Sequence, residues 1–331
     1  MFQSDIPNAG LGEDRGAWVT SHKWILGVDG GGTKTTAILV GEDGTFGAQE
    51  SAGGASLTTV GIDAAAKIVF DLARKCCSVV SCSAEQLHAV GVGLAGAGRA
   101  VDRDELHRML NEQGRRADFP FSKIVVEPDW RVALEGAYPV SPGVVLIAGT
   151  GSIGCARGED KTLHRIGGWG RILDDAGSAY ALGRDGLQAG LRAQEGLGDA
   201  TILAEYALQH FDVASFDDLV GKVYRGAADV ASFASKIFVA ASQRDHIAHA
   251  ILSRGAGALV EIVRALIMKI QPKRRIPVAL MGGLLEKENV YSALVKERLV
   301  GTLPQVFVQK PKFPAAYGAA ILAFQPFLFP Q

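Results

Sequence analysis

The sequence predicts an α/β fold made of two similar halves, each with a strand that runs into a glycine-rich loop. Apolar runs at residues 24–26 and 144–148 are typical of buried strands. Each run leads into such a loop, at residues 27–35 and 148–152 respectively. Glycines let backbone N–H groups approach an anion closely, and threonine and serine hydroxyls add further donors. The two loops therefore predict a polyphosphate held between the halves.

The first half is predicted to begin with a hairpin. Strands on either side of the first glycine loop account for residues 24–40, and a turn at 41–44 leads into a third strand. Periodic apolar residues then predict helices and strands in alternation, at 62–80, 88–94, 101–113, 123–126 and 129–137. The last of these helices follows Pro128 directly, which is typical of a helix start.

The second half repeats this order of elements. Strands are predicted at 143–148, 153–156, 163–166, 277–281 and 306–308, and helical segments at 175–250, 253–270 and 315–324. Both halves resemble the order strand, strand, strand, helix, strand, helix, so the sequence fits a duplicated nucleotide-binding fold.

Length and composition fit two globular domains. The chain has 331 residues, 48% of them hydrophobic, and its net charge of −1 offers no basic surface for nucleic acid. No apolar run reaches the roughly 18 residues that a membrane span needs. Residues 1–22 lack the pattern of a signal peptide. They are polar and contain glycines, so they are expected to form a flexible tail. The cysteines at 76, 77, 82 and 155 are expected to be free thiols in a cytoplasmic protein.

Two common nucleotide-binding motifs do not fit. A Walker A loop requires lysine where Thr33 stands, and its glycine loop opens a helix, whereas here the chain is expected to return as a strand. The glycine spacing of a dinucleotide fingerprint occurs at 91–96 and at 149–154. The first match falls inside a predicted strand and no helix follows the second, so a Rossmann dehydrogenase is not favoured.

The order of the glycine loops resembles the sugar kinase/heat-shock ATPase/actin superfamily. Its phosphate-1, phosphate-2 and adenosine motifs match residues 29–34, 148–152 and 281–284. Residues 167–178, Gly-Gly-Trp-Gly-Arg-Ile-Leu-Asp-Asp-Ala-Gly-Ser, are similar to a segment of the N-acetylglucosamine kinase branch, which is grouped with the BadF/BadG/BcrA/BcrD-type ATPases.

This resemblance implies two ribonuclease-H-like (actin-like ATPase) domains with an interdomain cleft. The first domain would cover residues 23–138 and be completed by a C-terminal helix at 315–327. The second would cover residues 139–314 and contain a helical insertion.

The resemblance also implies ATP and Mg²⁺ as ligands. Asp29 would hold hydrated Mg²⁺, although an aspartate in a turn can equally act as a cap. Lys34 either faces the phosphates or is a solvated lysine at a strand edge. The implied ATP-binding residues are Gly30, Gly31, Gly32, Thr33, Lys34, Thr35, Gly149, Thr150, Gly151, Ser152, Gly282 and Gly283.

Asp129 is the expected catalytic base, because the family places an aspartate after the corresponding strand. The simpler interpretation is an N-cap, and Glu127 is the alternative base. The implied sugar-binding residues are Ser56, Asp129, Gly168, Trp169, Gly170 and Asp175, the last of which could also cap the following helix. The chain departs from the family pattern in having Ser56 for asparagine, Asp174 for glycine and Ala176 for glutamate.

The implied activity is ATP-dependent phosphorylation of an amino sugar, with N-acetylglucosamine converted to its 6-phosphate. A glucosamine or other hexose kinase is one alternative. An ATPase activator of a radical dehydratase is another, but it needs paired cysteines around an iron–sulfur cluster, and Cys155 has no partner at a suitable spacing. A chaperone-like binding module would lack the segment at 167–170. The expected partner is a small-molecule sugar, with no nucleic acid and no membrane, and a homodimer is left open.

Overall fold

Each half of the chain forms a five-stranded mixed sheet. The computed structural model describes residues 23–324, so the predicted tail at 1–22 and the last residues of the helix predicted at 315–327 lie outside it. The first sheet has the order β3-β2-β1-β4-β5. Its strands are β1 (Trp24–Gly30), β2 (Lys34–Gly41), β3 (Phe46–Gly53), β4 (Leu87–Leu94) and β5 (Ile124–Pro128). The first three strands pair antiparallel, and β4 and β5 continue in parallel from β1.

The second sheet repeats the connectivity of the first. Its strands are β6 (Gly143–Ala148), β7 (Ser152–Arg157), β8 (Leu163–Gly167), β9 (Ile276–Met281) and β10 (Val306–Val308), in the order β10-β9-β6-β7-β8. Strands β6, β7 and β8 form an antiparallel meander, and β9 and β10 add in parallel to β6. The duplication predicted from the order of elements is therefore present in the strand pairing.

Helices cover both faces of the first sheet. They are α1 (Leu57–Val79), α2 (Ala100–Arg116), α3 (Asp129–Ala137) and, from the end of the described chain, α10 (Ala315–Ala323). Alternation along β1 sends Leu26 and Val28 into the core under α1 and α2, and Ile25 into the core under α10. A sheet buried on both faces explains why β1 is apolar almost throughout.

The backbone of helix α10 lies directly against the backbone of the first sheet. A Cβ added at Gly27 or at Gly91 would lie 1.9 Å from a carbonyl oxygen of α10, that of Ala316 or Ala319 respectively. Only glycine permits this approach. Helix α10 is thus packed closely against the first sheet.

Two helix predictions need correction. Helix α1 begins at Leu57, earlier than the predicted residue 62, because Gly61 at φ 79° interrupts the helical pattern. The helical region predicted at 175–250 is divided into short helices followed by the start of a long one: α4 (Ala179–Gln194), α5 (Leu203–Phe211), α6 (Phe216–Tyr224), a 3₁₀ turn (Val230–Phe233), α7 (Ala234–Ser242) and α8 (His246–Ile270). Helix α9 (Val290–Thr302) completes the second half.

The halves are joined by two chain segments, and the second of them is hydrogen-bonded to the end of helix α3. One links α3 to β6, and the other links β10 to α10. Lys312 N–H donates to Ala137 O at 3.1 Å, and Phe313 N–H donates to Gly136 O at 2.9 Å. Apolar side chains of α3 and α10 also pack against β6, β7 and β9 of the second sheet.

A buried ion network fixes the first of these segments. Glu135 is fully buried and accepts hydrogen bonds from Arg131 Nη1 at 2.7 Å, from Val140 N–H at 2.9 Å and from Arg157 Nη2. Arg157 Nη1 also donates to Tyr138 O at 2.8 Å. Burial alone would raise the pKa of Glu135, but these donors and the two positive charges hold the pKa below its usual range.

Arg157→Met should destabilise the fold by about 3 kcal/mol, because removing one partner of a buried pair leaves its charge poorly compensated. The free energy of unfolding measured in urea checks this. Arg184→Met is the control, since Arg184 pairs with Asp185 on the surface and exposed pairs contribute about 0–1 kcal/mol. Equal stability of the Arg157 and Arg184 variants would contradict this role of the network.

Candidate active site

The first glycine loop connects β1 and β2 at the end of the first sheet. Its turn is closed by Gly31 N–H, which donates to Lys34 O at 2.9 Å. Gly32, Thr33 and Lys34 are exposed, as groups that contact a ligand must be. Thr35 is fully buried, and its hydroxyl donates to Gly53 O at 2.8 Å. Of the predicted residues, Thr35 therefore shapes the loop from behind instead of facing the cleft.

Two neighbouring loops of the first half are bonded to this turn. Ala55 N–H donates to Gly31 O at 3.1 Å, and Ala95 N–H donates to Gly30 O at 2.8 Å. A Cβ at Gly54 would lie 2.1 Å from Gly32 O, so the loop after β3 lies directly against the first glycine loop. The three loops form one rigid edge at the ends of β1, β3 and β4.

The second glycine loop connects β6 and β7 and lies on the start of α4. Gly149 O accepts from Ala179 N–H at 2.8 Å, and Thr150 O accepts from Tyr180 N–H at 3.3 Å. Thr150 itself is exposed, whereas Ser152 is buried and donates its hydroxyl hydrogen bond to Ala176 O at 2.9 Å. Thr150 is thus the hydroxyl of this loop that can reach a ligand.

Asp175 supports the second glycine loop from below. It is 7% exposed, and its Oδ1 accepts from Ser152 N–H at 3.2 Å. A Cβ at Gly151 would lie 3.0 Å from its Oδ2. The expectation that Asp175 caps the next helix is wrong, because Ser178 caps α4 by accepting from Ala181 N–H at 3.2 Å.

The third glycine turn follows β9 and touches the second loop. Gly282 has φ 87°, and Leu284 N–H donates to Ala148 O at 3.0 Å. Gly282 N–H donates to Glu286 Oε1 at 3.0 Å. Sequence reasoning missed Glu286. A carboxylate three residues after a glycine pair was the available signal, and it is too common to have singled this residue out.

Two aspartates of the first half lie close to each other and to charged residues of the second half. Asp29 is the penultimate residue of β1, and Asp129 is the first residue of α3. Burial raises the pKa of Asp29 to about 7, with further increases from the negative charges of Asp129 and Glu286. Burial also raises the pKa of Asp129, while the Trp130 N–H hydrogen bond and the positive charge of Arg165 act in the opposite direction. Glu286 and Arg165 belong to the second half, so the two halves face each other across these carboxylates.

Asp129 is held in one orientation. Its Oδ1 accepts from Trp130 N–H at 2.8 Å, which leaves Oδ2 to accept a proton or hydrogen bond. The N-cap position of α3 is occupied by Pro128, so the carboxylate of Asp129 is not needed as a cap. The side chain is half-buried.

The predicted sugar residues come from both halves of the chain. Ser56 is only 4% exposed, and its hydroxyl shares a hydrogen bond of 3.0 Å with Thr58 Oγ1. Trp169 is 67% exposed. Gly168 and Gly170 flank it with positive φ, at 71° and 87°, and Gly168 N–H donates to Ser152 O at 3.1 Å. The segment at 167–177 therefore presents Trp169 to solvent on a frame anchored to the second glycine loop.

The four cysteines are free and buried. Cys155 lies between α3 and the second sheet, and its Sγ donates to Trp130 O at 3.4 Å. Within residues 23–324, no helix combines the length and the apolar character that crossing a bilayer requires.

Comparison with known proteins finds one family model across almost the whole described chain. The model for the BadF/BadG/BcrA/BcrD ATPase family matches residues 26–323. A curated N-acetylmuramic acid/N-acetylglucosamine kinase of Clostridium acetobutylicum is 27% identical over 91% of this chain and 98% of its own length. A curated N-acetyl-D-glucosamine kinase of Dictyostelium discoideum is also 27% identical, over 92% of this chain and 98% of its own.

A solved structure from Chromobacterium violaceum, described as a candidate N-acetylglucosamine kinase, is similar with a TM-score of 0.73. It is 26% identical and covers 91% of this chain and 99% of its own. A glucokinase of the ROK family from Streptomyces griseus, solved with glucose and an ATP analogue, has a TM-score of 0.56 at 20% identity and shows the fold alone. The predicted fold class of two actin-like ATPase domains is confirmed.

Proposed function

Because the chain belongs to the BadF/BadG/BcrA/BcrD ATPase family, we propose that it is an ATP-dependent kinase that phosphorylates an amino sugar. The acceptor we propose is N-acetylglucosamine, which the enzyme converts to its 6-phosphate. Two curated relatives that are named for this sugar support the choice. Glucosamine or another hexose is the alternative acceptor.

The observation that carries this proposal is the position of Asp129. Its carboxylate is half-buried, is oriented by Trp130 N–H, and lies near enough to Asp29 of β1 to raise the pKa of that residue. A general base needs such a fixed carboxylate within reach of the attacking hydroxyl. The oxygen of the sugar hydroxyl then attacks the γ-phosphorus of ATP and ADP leaves. As it attacks, the hydroxyl gives its proton to Oδ2 of Asp129. Catalysis is mostly positioning and electrostatic stabilisation, as is usual for phosphoryl transfer.

We propose that ATP lies between the two sheets with its phosphates against the first and second glycine loops. Exposed donors there are Thr33, Lys34 and Thr150, supplemented by the backbone N–H groups of Gly32 and Gly151. Gly30, Gly31 and Gly149 would shape the loops and allow close approach, because the N–H groups of Gly31 and Gly149 already donate to Lys34 O and Gly151 O. Gly282 and Gly283 would contact the adenosine. Thr35 and Ser152 would act indirectly, because both hydroxyls are turned to carbonyl oxygens of the fold.

Asp29 fits a divalent cation. Its carboxylate is half-buried beside the first glycine loop, and the nearby Asp129 and Glu286 raise its pKa. A cation would offset this repulsion, and Mg²⁺ needs only one or two carboxylates because it keeps several waters. When bound, it would neutralise charge on the transferred phosphoryl group.

The activator alternative is not favoured by the surroundings of Cys155. Ligands of an iron–sulfur cluster are thiolates, but burial raises the pKa of Cys155 far above its usual range, and its Sγ is bonded to Trp130 O. We place the reaction in the cytoplasm, where reducing conditions suit the four free thiols.

A coupled assay of ADP release over a panel of sugars tests the proposed function. The panel contains N-acetylglucosamine, glucosamine, N-acetylmannosamine, glucose and a blank without sugar. We expect the highest kcat/KM with N-acetylglucosamine and little ADP release in the blank. A preference for glucosamine would identify glucosamine as the acceptor instead. ADP release that does not depend on any sugar would refute the proposed kinase activity.

Sugar binding should draw the two halves together. The proposed sugar contacts come from both, with Ser56 and Asp129 on the first and 168–175 on the second, and a ligand that bridges both favours the closed state. The hinge we expect is 138–143, the segment that links α3 to β6, where Pro139 and Pro142 interrupt regular structure. Small-angle scattering should show a smaller radius of gyration with N-acetylglucosamine, and no change with a sugar that is not turned over. An unchanged radius together with an already closed sugar-free crystal structure would contradict the hinge.

A further inference from the structure

Helix α1 ends in a turn that brings two cysteines together. Ser81, the residue after the C-cap Val80, has a left-handed backbone at φ 54°. Cys82 N–H donates to Cys77 O at 2.8 Å, and Ser81 N–H donates to Ser78 O at 3.4 Å. These two hydrogen bonds define a Schellman motif, in which the side chains at the two ends of the longer hydrogen bond frequently contact each other. In this chain those side chains are the thiols of Cys77 and Cys82.

The backbone of this turn sets a distance that a disulfide can span. A backbone nitrogen lies about 1.5 Å from its own Cα atom, and a carbonyl oxygen lies about 2.4 Å from the Cα atom of its residue. Since Cys82 N lies 2.8 Å from Cys77 O, the two Cα atoms are no more than about 6.7 Å apart. Disulfides join cysteines whose Cα atoms are about 4.4–6.8 Å apart. The pair therefore stays within the upper limit for a bridge.

The two thiols differ in exposure and in their tendency to ionise. Cys77 is 2% exposed and lies at the C-terminal end of a helix, where the helix dipole disfavours negative charge. Cys82 is 9% exposed, between the exposed residues Ser81 and Ser83, and as a neutral thiol it donates to Ser83 O at 3.2 Å. A hydrogen bond from the Cys77 thiol lowers the pKa of Cys82, although burial acts in the opposite direction. Cys82 is therefore the thiolate that a reagent meets first, and Cys77 keeps its proton.

The neighbouring Cys76 lies outside this pair. It is fully buried, and its Sγ is directed to Ala37 O of β2 at 4.0 Å. Burial and the negative charge of Glu50 raise the pKa of Cys76 to about 11. Because Cys76 is adjacent in the chain but faces the sheet, it provides a control within the same helix turn.

We propose that Cys77 and Cys82 form a redox-active dithiol that exchanges with low-molecular-weight disulfides and closes into a disulfide, which stabilises the end of α1. The Cys82 thiolate first attacks one sulfur of a disulfide such as glutathione disulfide, which gives a mixed disulfide and releases one glutathione. The Cys77 thiol then loses its proton and attacks Cys82 Sγ, which releases the second glutathione. Overall the two cysteines lose two hydrogens, and glutathione disulfide gains them to become two molecules of glutathione.

This inference is independent of the proposed kinase function. The disulfide would close a short ring between the end of α1 and the segment that leads into β4. Such a ring restricts the unfolded chain and so favours the folded state.

Peptide mass spectrometry of the full chain tests the pairing. Trypsin releases residues 76–99 as one peptide, which holds the three cysteines of this region. The reduced, folded protein is treated with excess glutathione disulfide, then unfolded, alkylated and digested. We expect this peptide to carry one alkyl group, on Cys76, and a disulfide between Cys77 and Cys82. Alkylation of all three cysteines, or a disulfide that includes Cys76, would overturn the proposal.

Three single variants separate the roles of the cysteines. Cys77→Ser should retain glutathione on Cys82, because no second thiol displaces it, and Cys82→Ser should take up no glutathione at Cys77. Cys76→Ser is the matched control and should form the disulfide as the wild type does. Glutathione on Cys77 instead of Cys82, or loss of the disulfide in the control, would refute the assigned order of attack.

Urea unfolding tests the stabilising effect. Treatment with glutathione disulfide should raise the midpoint of unfolding of the wild type and of Cys76→Ser, but should not raise that of Cys77→Ser. An unchanged midpoint in proteins that have formed the disulfide would contradict a stabilising role for the bond.

Discussion

Asp129→Asn should lower kcat by ~10²–10⁴-fold while the fold and the affinity for ATP stay unchanged, because this is the usual effect of removing a general base. Asparagine can still accept the hydrogen bond from Trp130 N–H, which Oδ1 of Asp129 accepts at 2.8 Å. The substitution therefore removes the proton acceptor and leaves the orientation of the side chain intact. Steady-state kinetics with N-acetylglucosamine and calorimetry with ATP measure the two quantities separately.

Glu127→Gln is the matched control for this prediction. Glu127 is the alternative base, and it lies two residues earlier, on β5 opposite Gly93 of β4. We expect its substitution to leave kcat nearly unchanged. Near-normal turnover of Asp129→Asn, or a larger loss in the Glu127 variant, would reject the assignment of Asp129.

Gly31→Val and Gly151→Val should each abolish detectable ATP binding, since a branched side chain blocks the approach of phosphates to the loop backbone. The first variant is the cleaner one. A Cβ at Gly31 would meet only Lys34 O, at 3.8 Å, so the ligand-free fold can accept it. At Gly151 the new side chain would in addition press on the Asp175 carboxylate, at 3.0 Å, and displace the loop.

Circular dichroism checks that the variants are folded, and calorimetry then measures their affinity for ATP. Gly301→Val is the control, because Gly301 lies on α9 and an added Cβ there meets no other atom. ATP affinity equal to that of the wild type in both loop variants would exclude a phosphate site formed by the two glycine loops.

The architecture was predictable from the sequence because its signals are local. An apolar strand followed by a glycine turn can be recognised from adjacent residues, and so can the start of α3 after Pro128. The resemblance to a known family then indicated that the two halves are two similar ATPase domains of one fold. The start of α1 was missed because the first turn precedes a break at Gly61, and a helical period cannot be counted across a residue at φ 79°.

The site was less predictable, because side-chain direction depends on contacts between distant segments. Thr35 and Ser152 belong to the predicted loops, but their hydroxyls turn to Gly53 O and Ala176 O. Asp175 supports a loop 23 positions away in the chain, an interaction that no spacing rule indicates. Arg165 is an ordinary residue of a short strand, and only the packing of the two halves brings it to Asp129.

Identification of the product tests the central claim most directly. The enzyme is incubated with ATP, Mg²⁺ and N-acetylglucosamine, and the phosphorylated product is characterised by mass spectrometry and phosphorus NMR. We predict N-acetylglucosamine 6-phosphate in amounts equal to the ADP formed. Formation of ADP without any sugar phosphate, with this or any other amino sugar, would contradict the account.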